Sequence, residues 1–300
     1  MTSEAQQLNT PLSVNNRKPL KGGPVLGTLR FLFRGLGPIV PRQMGKFAYR
    51  LWFTPKRLAR PEREKALLQR EHDHYQVTGH GQKASVRAWG QGPAVLMIHG
   101  WEGRGTQFSN FVDALLTKGF RVITFDMPAH GDSEGKQTDL VEIEKVISQI
   151  KEREGELRGV VAHSFGGVAA AFAFRKGLKA ERAVFINSPS RFKTMLAFFQ
   201  NQLTIPMSVM KEMMKCIENR FPEMGPDLWE ILDTAGNVST LSFPGLVFHD
   251  EGDKIVPISQ GELIAEAWPD VQMERTRGLG HHRILRDSGV IEKTVSFLTF

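Results

Sequence analysis

The sequence has a single cysteine, Cys216, which excludes an internal disulfide framework and a cysteine-rich zinc site. It also lacks any run approaching the ~20 apolar residues that a membrane-spanning helix needs. The apolar stretch from Val25 to Val40 is interrupted by Arg30, Arg34, Gly35, Gly37 and Pro38. At the start, MTSEAQQLNT is polar and no basic segment leads into an apolar one, so no signal peptide is read there. HExxH and comparable ligand spacings are missing, and neither a metal nor a cofactor is expected. The expectation is a cytoplasmic protein.

Acidic residues are missing only locally. From Ala5 to Pro61 there is no Asp or Glu, whereas Arg17, Lys18, Lys21, Arg30, Arg34, Arg42, Lys46, Arg50, Lys56, Arg57 and Arg60 are all basic. These residues more than account for the formal net charge of +7, so the rest of the chain is net acidic. Nucleic-acid binding by the whole chain is therefore not expected. The basic stretch, residues 17–60, also carries Phe31, Phe33, Phe47, Tyr49, Trp52 and Phe53. It admits two readings: an arm wrapped on an acidic body, or a segment lying on an anionic membrane surface, peripheral to its inner face. Residues 1–20 are polar and read as a mobile leader.

With 41% hydrophobic and 24% charged residues, the chain as a whole has ordinary globular composition, enough for one large α/β domain with an appendage. We divide it into an N-terminal arm, residues 1–70, and an α/β domain, residues 71–300. A short helix is expected from about Pro61 to Gln69. Tyr75–Thr78 and Ala84–Trp89 read as strands joined through Gly-His-Gly. The continuous apolar run Ala94–Ile98 reads as a fully buried strand. Helix Gln107–Lys118, strand Arg121–Phe125, helix Thr138–Glu154, strand Gly159–Ala162, helix Phe165–Arg175 and strand Ala183–Ile186 follow. Such alternation argues a mostly parallel central sheet flanked by helices. It stops between about 190 and 240, a Met- and Phe-rich helical stretch read as a lid insertion. It then resumes with strand Gly245–His249, helix Ser259–Trp268, strand Val271–Thr276 and a helix after Asp287.

The segment Ala162-His163-Ser164-Phe165-Gly166-Gly167 falls between a strand and a helix. A sharp turn there pushes the middle side chain outward, requires small neighbours, and leaves helix-start N–H groups facing the same place. Serine becomes nucleophilic only beside a base, which a carboxylate must orient. Asp253 lies in the loop after one later strand and His281 in the loop after the last, with Asp250 and His282 as competitors. Upstream, His99-Gly100-Trp101 follows a strand. The Trp101 and Phe165 amides are the expected oxyanion donors.

Taken together, HGWEGRG (99–105), DMPAHGDS (126–133), AHSFGG (162–167) and GLGHHRIL (278–285) resemble the segments HGWEGRG, DxPAHGxS, AHSxGG and GLGHxRIL of bacterial α/β-hydrolases, over about Tyr75 to Phe300. The order Ser, Asp, His is that fold's order. Ala162 departs from the usual first glycine of G-x-S-x-G but is still small. The resemblance favours His281 over His282, because the position after the histidine varies within the pattern. It implies the α/β-hydrolase fold and an esterase-like acyl hydrolase acting on a small-molecule acyl substrate, and fixes no particular substrate. The expected site is thus Ser164, Asp253 and His281, with Trp101 and Phe165. A binding protein that keeps the pocket but not the turnover is the alternative.

Other chemistry-bearing residues are given quieter roles. His99 and His130 are expected to hold loops through backbone hydrogen bonds, and Asp126 to organise a loop. His163 is read as packing, Arg104 as a solvated loop residue, and Cys216 as half-buried in the lid. Met207, Met210, Met213 and Met214 keep helical spacing, which is usually core.

Overall fold

The computed structural model describes residues 23–70, 73–79 and 81–300. The polar stretch 1–20 lies outside them, as do Arg17, Lys18 and Lys21. By its contacts the chain forms two compact units. One comprises the residues up to Phe53 together with Arg191–Ile231, and the other Thr54–Ser190 together with Leu232–Phe300. This grouping differs from a division at residue 70: the N-terminal helices group with the inserted helices, and the segment from Thr54 groups with the sheet.

The larger unit is built on eight strands: β1 (Asp73–Gly79), β2 (Gln82–Trp89), β3 (Ala94–Ile98), β4 (Arg121–Phe125), β5 (Leu157–His163), β6 (Arg182–Ile186), β7 (Gly245–Asp250) and β8 (Val271–Thr276). Their order is β1-β2-β4-β3-β5-β6-β7-β8. β2 runs antiparallel to β1 and β4, and every other pairing is parallel. The apolar strand β3 is buried along its whole length. Val95 and Met97 join the core that includes Phe111, Val112 and Leu115 of helix Ser109–Leu116 and Val290, Val295 and Leu298 of helix Ser288–Thr299. Leu96 and Ile98, on the opposite face of the pleat, are fully buried as well, and helix Phe165–Arg175 packs on this strand. Two helices start where the sequence supplies a side-chain cap: Asp139 accepts the Glu142 amide and Asp287 accepts the Val290 amide. The expected helix from Gln107 begins instead as a single tight turn, Gly105–Phe108.

β3 lies between β4 and β5, so the chain leaves it to one side and returns on the other. That reversal opens a crevice beyond the C-terminal ends of β3 and β5, the usual ligand position in such sheets.

The smaller unit contains helices Pro24–Leu36, Pro41–Trp52, Phe192–Leu203 and Met207–Arg220, then a short turn and Leu228–Ile231. Proline at the first helical position starts both N-terminal helices. Helices Pro41–Trp52 and Met207–Arg220 meet at Gly45, where a Cβ would stand 2.5 Å from the Glu212 Cβ. Trp52 packs edge-on against Phe192 (5.7 Å between ring centres) and Phe199 (5.2 Å). Arg220 lies over Phe53 and donates to the Tyr49 hydroxyl at 3.0 Å. Met210 and Met213 are buried, Met207 is exposed, and Cys216 is half-buried. Among the described residues, no helix is long and apolar enough to cross a membrane.

Candidate active site

β5 ends at His163 and helix Phe165–Arg175 begins at once, leaving Ser164 alone at the turn with φ +54° and ψ −124°. A non-glycine residue in that conformation is strained by roughly 1–3 kcal/mol. The turn is over-determined by its surroundings. Ser164 donates its amide to the Ile186 carbonyl at 2.9 Å, and its own carbonyl accepts the Gly167 amide at 2.9 Å. A Cβ at Gly166 would lie 2.1 Å from the Ile98 carbonyl oxygen, so only glycine lets the helix start seat against β3. Ala162 is fully buried between β3 and β6, which explains why a small residue suffices there.

His281 sits in the turn Gly280–Arg283 after β8. Its Nε2 is 2.9 Å from Ser164 Oγ, and its Nδ1 is 2.6 Å from Asp253 Oδ2. The other Asp253 oxygen accepts the Ile255 amide at 2.7 Å and the Val256 amide at 3.0 Å, leaving Oδ2 for the imidazole. With Nδ1–H donated to the carboxylate, Nε2 is the free base facing the hydroxyl. The structure thus brings the three predicted side chains into one hydrogen-bonded line. His282, the competitor, is exposed and lies edge-on against the His281 ring.

Asp250 is fully buried and braces the loops on either side. Its carboxylate accepts the Gly252 and Leu279 amides and the Thr276 hydroxyl, each at 2.9 Å. Burial works against its charge, but the amides of Leu279 and Gly280 and the Thr276 hydroxyl outweigh it and hold its carboxyl below the ordinary range. Asn187, at φ +47°, ties three strand ends together. Its Oδ1 accepts the Asp250 amide at 2.9 Å, while its Nδ2 donates to the carbonyls of Gly280 (3.1 Å) and His281 (3.4 Å). His163 does more than pack: Nε2 donates to the same His281 carbonyl at 2.8 Å. Burial, with the neighbouring His281 next, pushes His163 well below the usual imidazole range, so it stays neutral. Neither Asn187 nor this role of His163 is marked by any motif, because both act through the backbone of a residue about a hundred positions away.

The loop after β3 is held just as firmly. His99 donates Nδ1–H to the Gly100 carbonyl at 2.8 Å and accepts the Met127 amide at Nε2, 2.9 Å. Complete burial lowers its pKa to about 4. His130 contacts the Pro128 carbonyl at 3.0 Å and packs edge-on against Trp101. Asp126 accepts the amides of Gly105 and Asp132, each at 2.8 Å, as a loop organiser should. Arg104 is not solvated. It is 5% exposed, and its Nε and second terminal nitrogen grip the Glu64 carboxylate at 2.5 and 3.1 Å. Sequence reasoning missed this because Glu64 belongs to a separate short helix, Glu62–Leu68. Trp101 and Phe165 pack edge-on at 5.4 Å between ring centres, and a Cβ at Gly100 would lie 2.9 Å from the Ser164 Cβ. The residues of the two expected oxyanion amides therefore flank the serine.

Residues 95–292, well over half of the sequence, match the alpha/beta hydrolase family. The chain belongs to that family. Among its relatives is the serine hydrolase-like protein of Homo sapiens, 33% identical over 100 residues, covering 30% of this chain and 47% of that protein. Another is the pimeloyl-(acyl-carrier protein) methyl ester esterase of Vibrio campbellii, 24% identical over 224 residues, covering 62% of this chain and 86% of the esterase. The chain spans less than half the length of the first curated relatives it matches. Among solved structures, an esterase from Exiguobacterium antarcticum superposes with TM-score 0.60 at 17% identity, covering 76% of this chain and all of that one. A bromoperoxidase from Bacillus anthracis superposes at 0.59 with 16% identity, covering 76% and 99%. At such identities these two superpositions speak for the alpha/beta hydrolase fold and no further.

Proposed function

We propose that this alpha/beta hydrolase is a serine hydrolase that cleaves a carboxylic ester, or a related acyl bond, through an acyl-enzyme intermediate. The observation that carries the reading is the continuous line Asp253–His281–Ser164, with donor distances of 2.6 and 2.9 Å. In the first step the Ser164 hydroxyl gives its proton to His281 Nε2 while Oγ bonds to the substrate carbonyl carbon. The oxyanion that forms is met by the Trp101 amide in the loop after β3 and by the Phe165 amide at the start of a helix, whose dipole favours negative charge. His281 then returns the proton to the leaving alkoxide, and the alcohol departs. Water repeats the sequence on the acyl-serine and releases the acid. Asp253 orients the imidazole and stabilises it while it is protonated. No step calls on a cofactor. The esterase and hydrolase names among the relatives lend support.

The inserted helices, Arg191–Ile231, serve in this reading as a lid, and their apolar character suits medium-chain or aromatic acyl groups. Labelling with a fluorophosphonate probe tests the proposal. Wild-type protein becomes labelled, whereas Ser164→Ala does not and His281→Ala loses roughly 10⁴-fold or more in ester turnover. Folded wild type that resists the probe and hydrolyses no ester in a short-to-long acyl panel overturns it, and favours a binding protein on the same fold.

A further inference from the structure

The helix Pro24–Leu36 leaves part of its apolar surface uncovered. A surface helix of a water-soluble unit buries its apolar stripe and turns polar residues outward. This one buries Phe33 and half-buries Leu26, Leu29 and Leu32, but exposes Val25 (68%), Phe31 (77%) and Leu36 (44%), with Ile39 (73%) soon after it. At 100° per residue, Phe31, Val25 and Leu36 fall within a sector of about 140° that also holds the half-buried Leu32. Arg34 lies along one edge of that sector, with Arg30 next to it. There Gly27, Arg30, Phe31, Arg34 and Gly35 line an open groove of about 410 Å³. The two glycines, one turn to either side of Phe31, leave the ring standing clear of its own helix.

Charge says what covers this face. The helix carries no acidic residue, and neither does the following one, Pro41–Trp52, whose Arg42, Lys46 and Arg50 are exposed. The acid-free window runs from Ala5 to Pro61, with eleven basic residues in it. An apolar strip edged by arginines and free of carboxylates matches a surface that is itself apolar below and anionic above. A second copy of the chain would bring these same cations against each other. We propose that helix Pro24–Leu36 docks this protein on an anionic phospholipid bilayer, lying in the plane of the interface. Phe31, Val25 and Ile39 enter the acyl boundary while Arg34 meets lipid phosphate, and Arg30 keeps its Nε on the Gln202 carbonyl at 2.8 Å. The proposal is independent of the hydrolase reading.

Vesicle flotation of the full chain tests it, on phosphatidylcholine alone and on phosphatidylcholine mixed with phosphatidylglycerol. The expected result is flotation with the mixed vesicles only, weakened by added salt. Phe31→Ser and Ile39→Ser each reduce partitioning about tenfold, and Arg34→Gln about fivefold. These side chains are exposed, so the variants keep the wild-type melting temperature, which is measured alongside. Three results overturn the proposal: no flotation of folded wild type, equal flotation on both vesicle types, or variants that float like wild type. A concentration-dependent dimer that Phe31→Ser disperses assigns the face to self-association and overturns it equally.

Discussion

Replacing Glu64 with alanine strips the buried Arg104 guanidinium of the carboxylate it grips at 2.5 and 3.1 Å. Glu64 is 1% exposed and Arg104 is 5% exposed, so water cannot take the partner's place. Glu64 also accepts the Thr106 hydroxyl at 2.8 Å, and a third bond is lost with it. Removing one member of a buried pair in this way costs about 3–5 kcal/mol, because the surviving charge is left unpaired. For a unit of this size, each kcal/mol lowers the melting temperature by roughly 2–4 °C. The expected fall is therefore on the order of 10 °C. Removing both charges, as Glu64→Leu with Arg104→Met, restores most of that loss, since an apolar pair needs no partner. Calorimetry on the two single variants and the double gives the coupling directly. In the hydrolase reading a second effect follows, because Arg104 anchors the loop that carries Trp101. A whole oxyanion donor is worth about 10²–10³ in turnover, so loosening one lowers turnover by about tenfold at a temperature where the variant is folded. Single variants that melt within about 1 °C of wild type, or a double variant as unstable as the sum of the singles, would refute the reasoning.

Asp253→Asn removes the carboxylate that sets the His281 tautomer and is expected to lower ester turnover on the order of 10³–10⁴-fold, with an unchanged melting temperature. Asp250→Asn, at the carboxylate that braces the same loops, shows its main effect in melting temperature, and equal kinetic loss in both variants would contradict this division. Acid stability follows from the buried histidines. His99, with its pKa lowered to about 4 by burial, and His130, lowered to about 3, are neutral in the folded protein, but each binds a proton in the unfolded chain as pH falls below about 6.5. Between about pH 6.5 and 4 the unfolded state holds more protons, so stability declines with falling pH, His99 alone contributing on the order of 3 kcal/mol. A urea midpoint that stays level from pH 7 to 4.5 would disprove it. Gly45→Leu forces a side chain onto Glu212, which a Cβ already meets at 2.5 Å, and costs the smaller unit about 1–3 kcal/mol of overpacking. Limited proteolysis reads this as faster cleavage within Arg191–Ile231, and an unchanged digestion rate would rule it out.

Much of the larger unit is legible from local pattern. Strands β3, β4 and β8 and helix Phe165–Arg175 occupy the residues that apolar runs and flanking glycines indicate. β1, β2 and β5 each begin two residues before their expected starts, and β1 and β5 end one residue later, where hydrogen bonding to a neighbour, not side-chain type, sets the end of a strand. The helices Pro24–Leu36 and Pro41–Trp52 were not legible. Their glycines and scattered cations mask the period, and the partner that buries Gly45 is about 170 residues further along the chain.

The sequence by itself was enough to nominate the candidate site residues. A serine between small residues at a strand-to-helix turn, and an aspartate and a histidine after later strands, are local signals whose order survives any detail of packing. Tertiary structure put a distance on the choice of His281 over His282 that the resemblance had favoured: His281 Nε2 stands 2.9 Å from Ser164 Oγ, and His282 is exposed. It also decided that Arg104 is a buried ionic anchor, that Asn187 and His163 hold the His281 carbonyl, and that Val25, Phe31 and Leu36 of Pro24–Leu36 stand in solvent. Each of these depends on residues brought together from distant parts of the chain, and distance through space is the quantity a linear pattern does not contain.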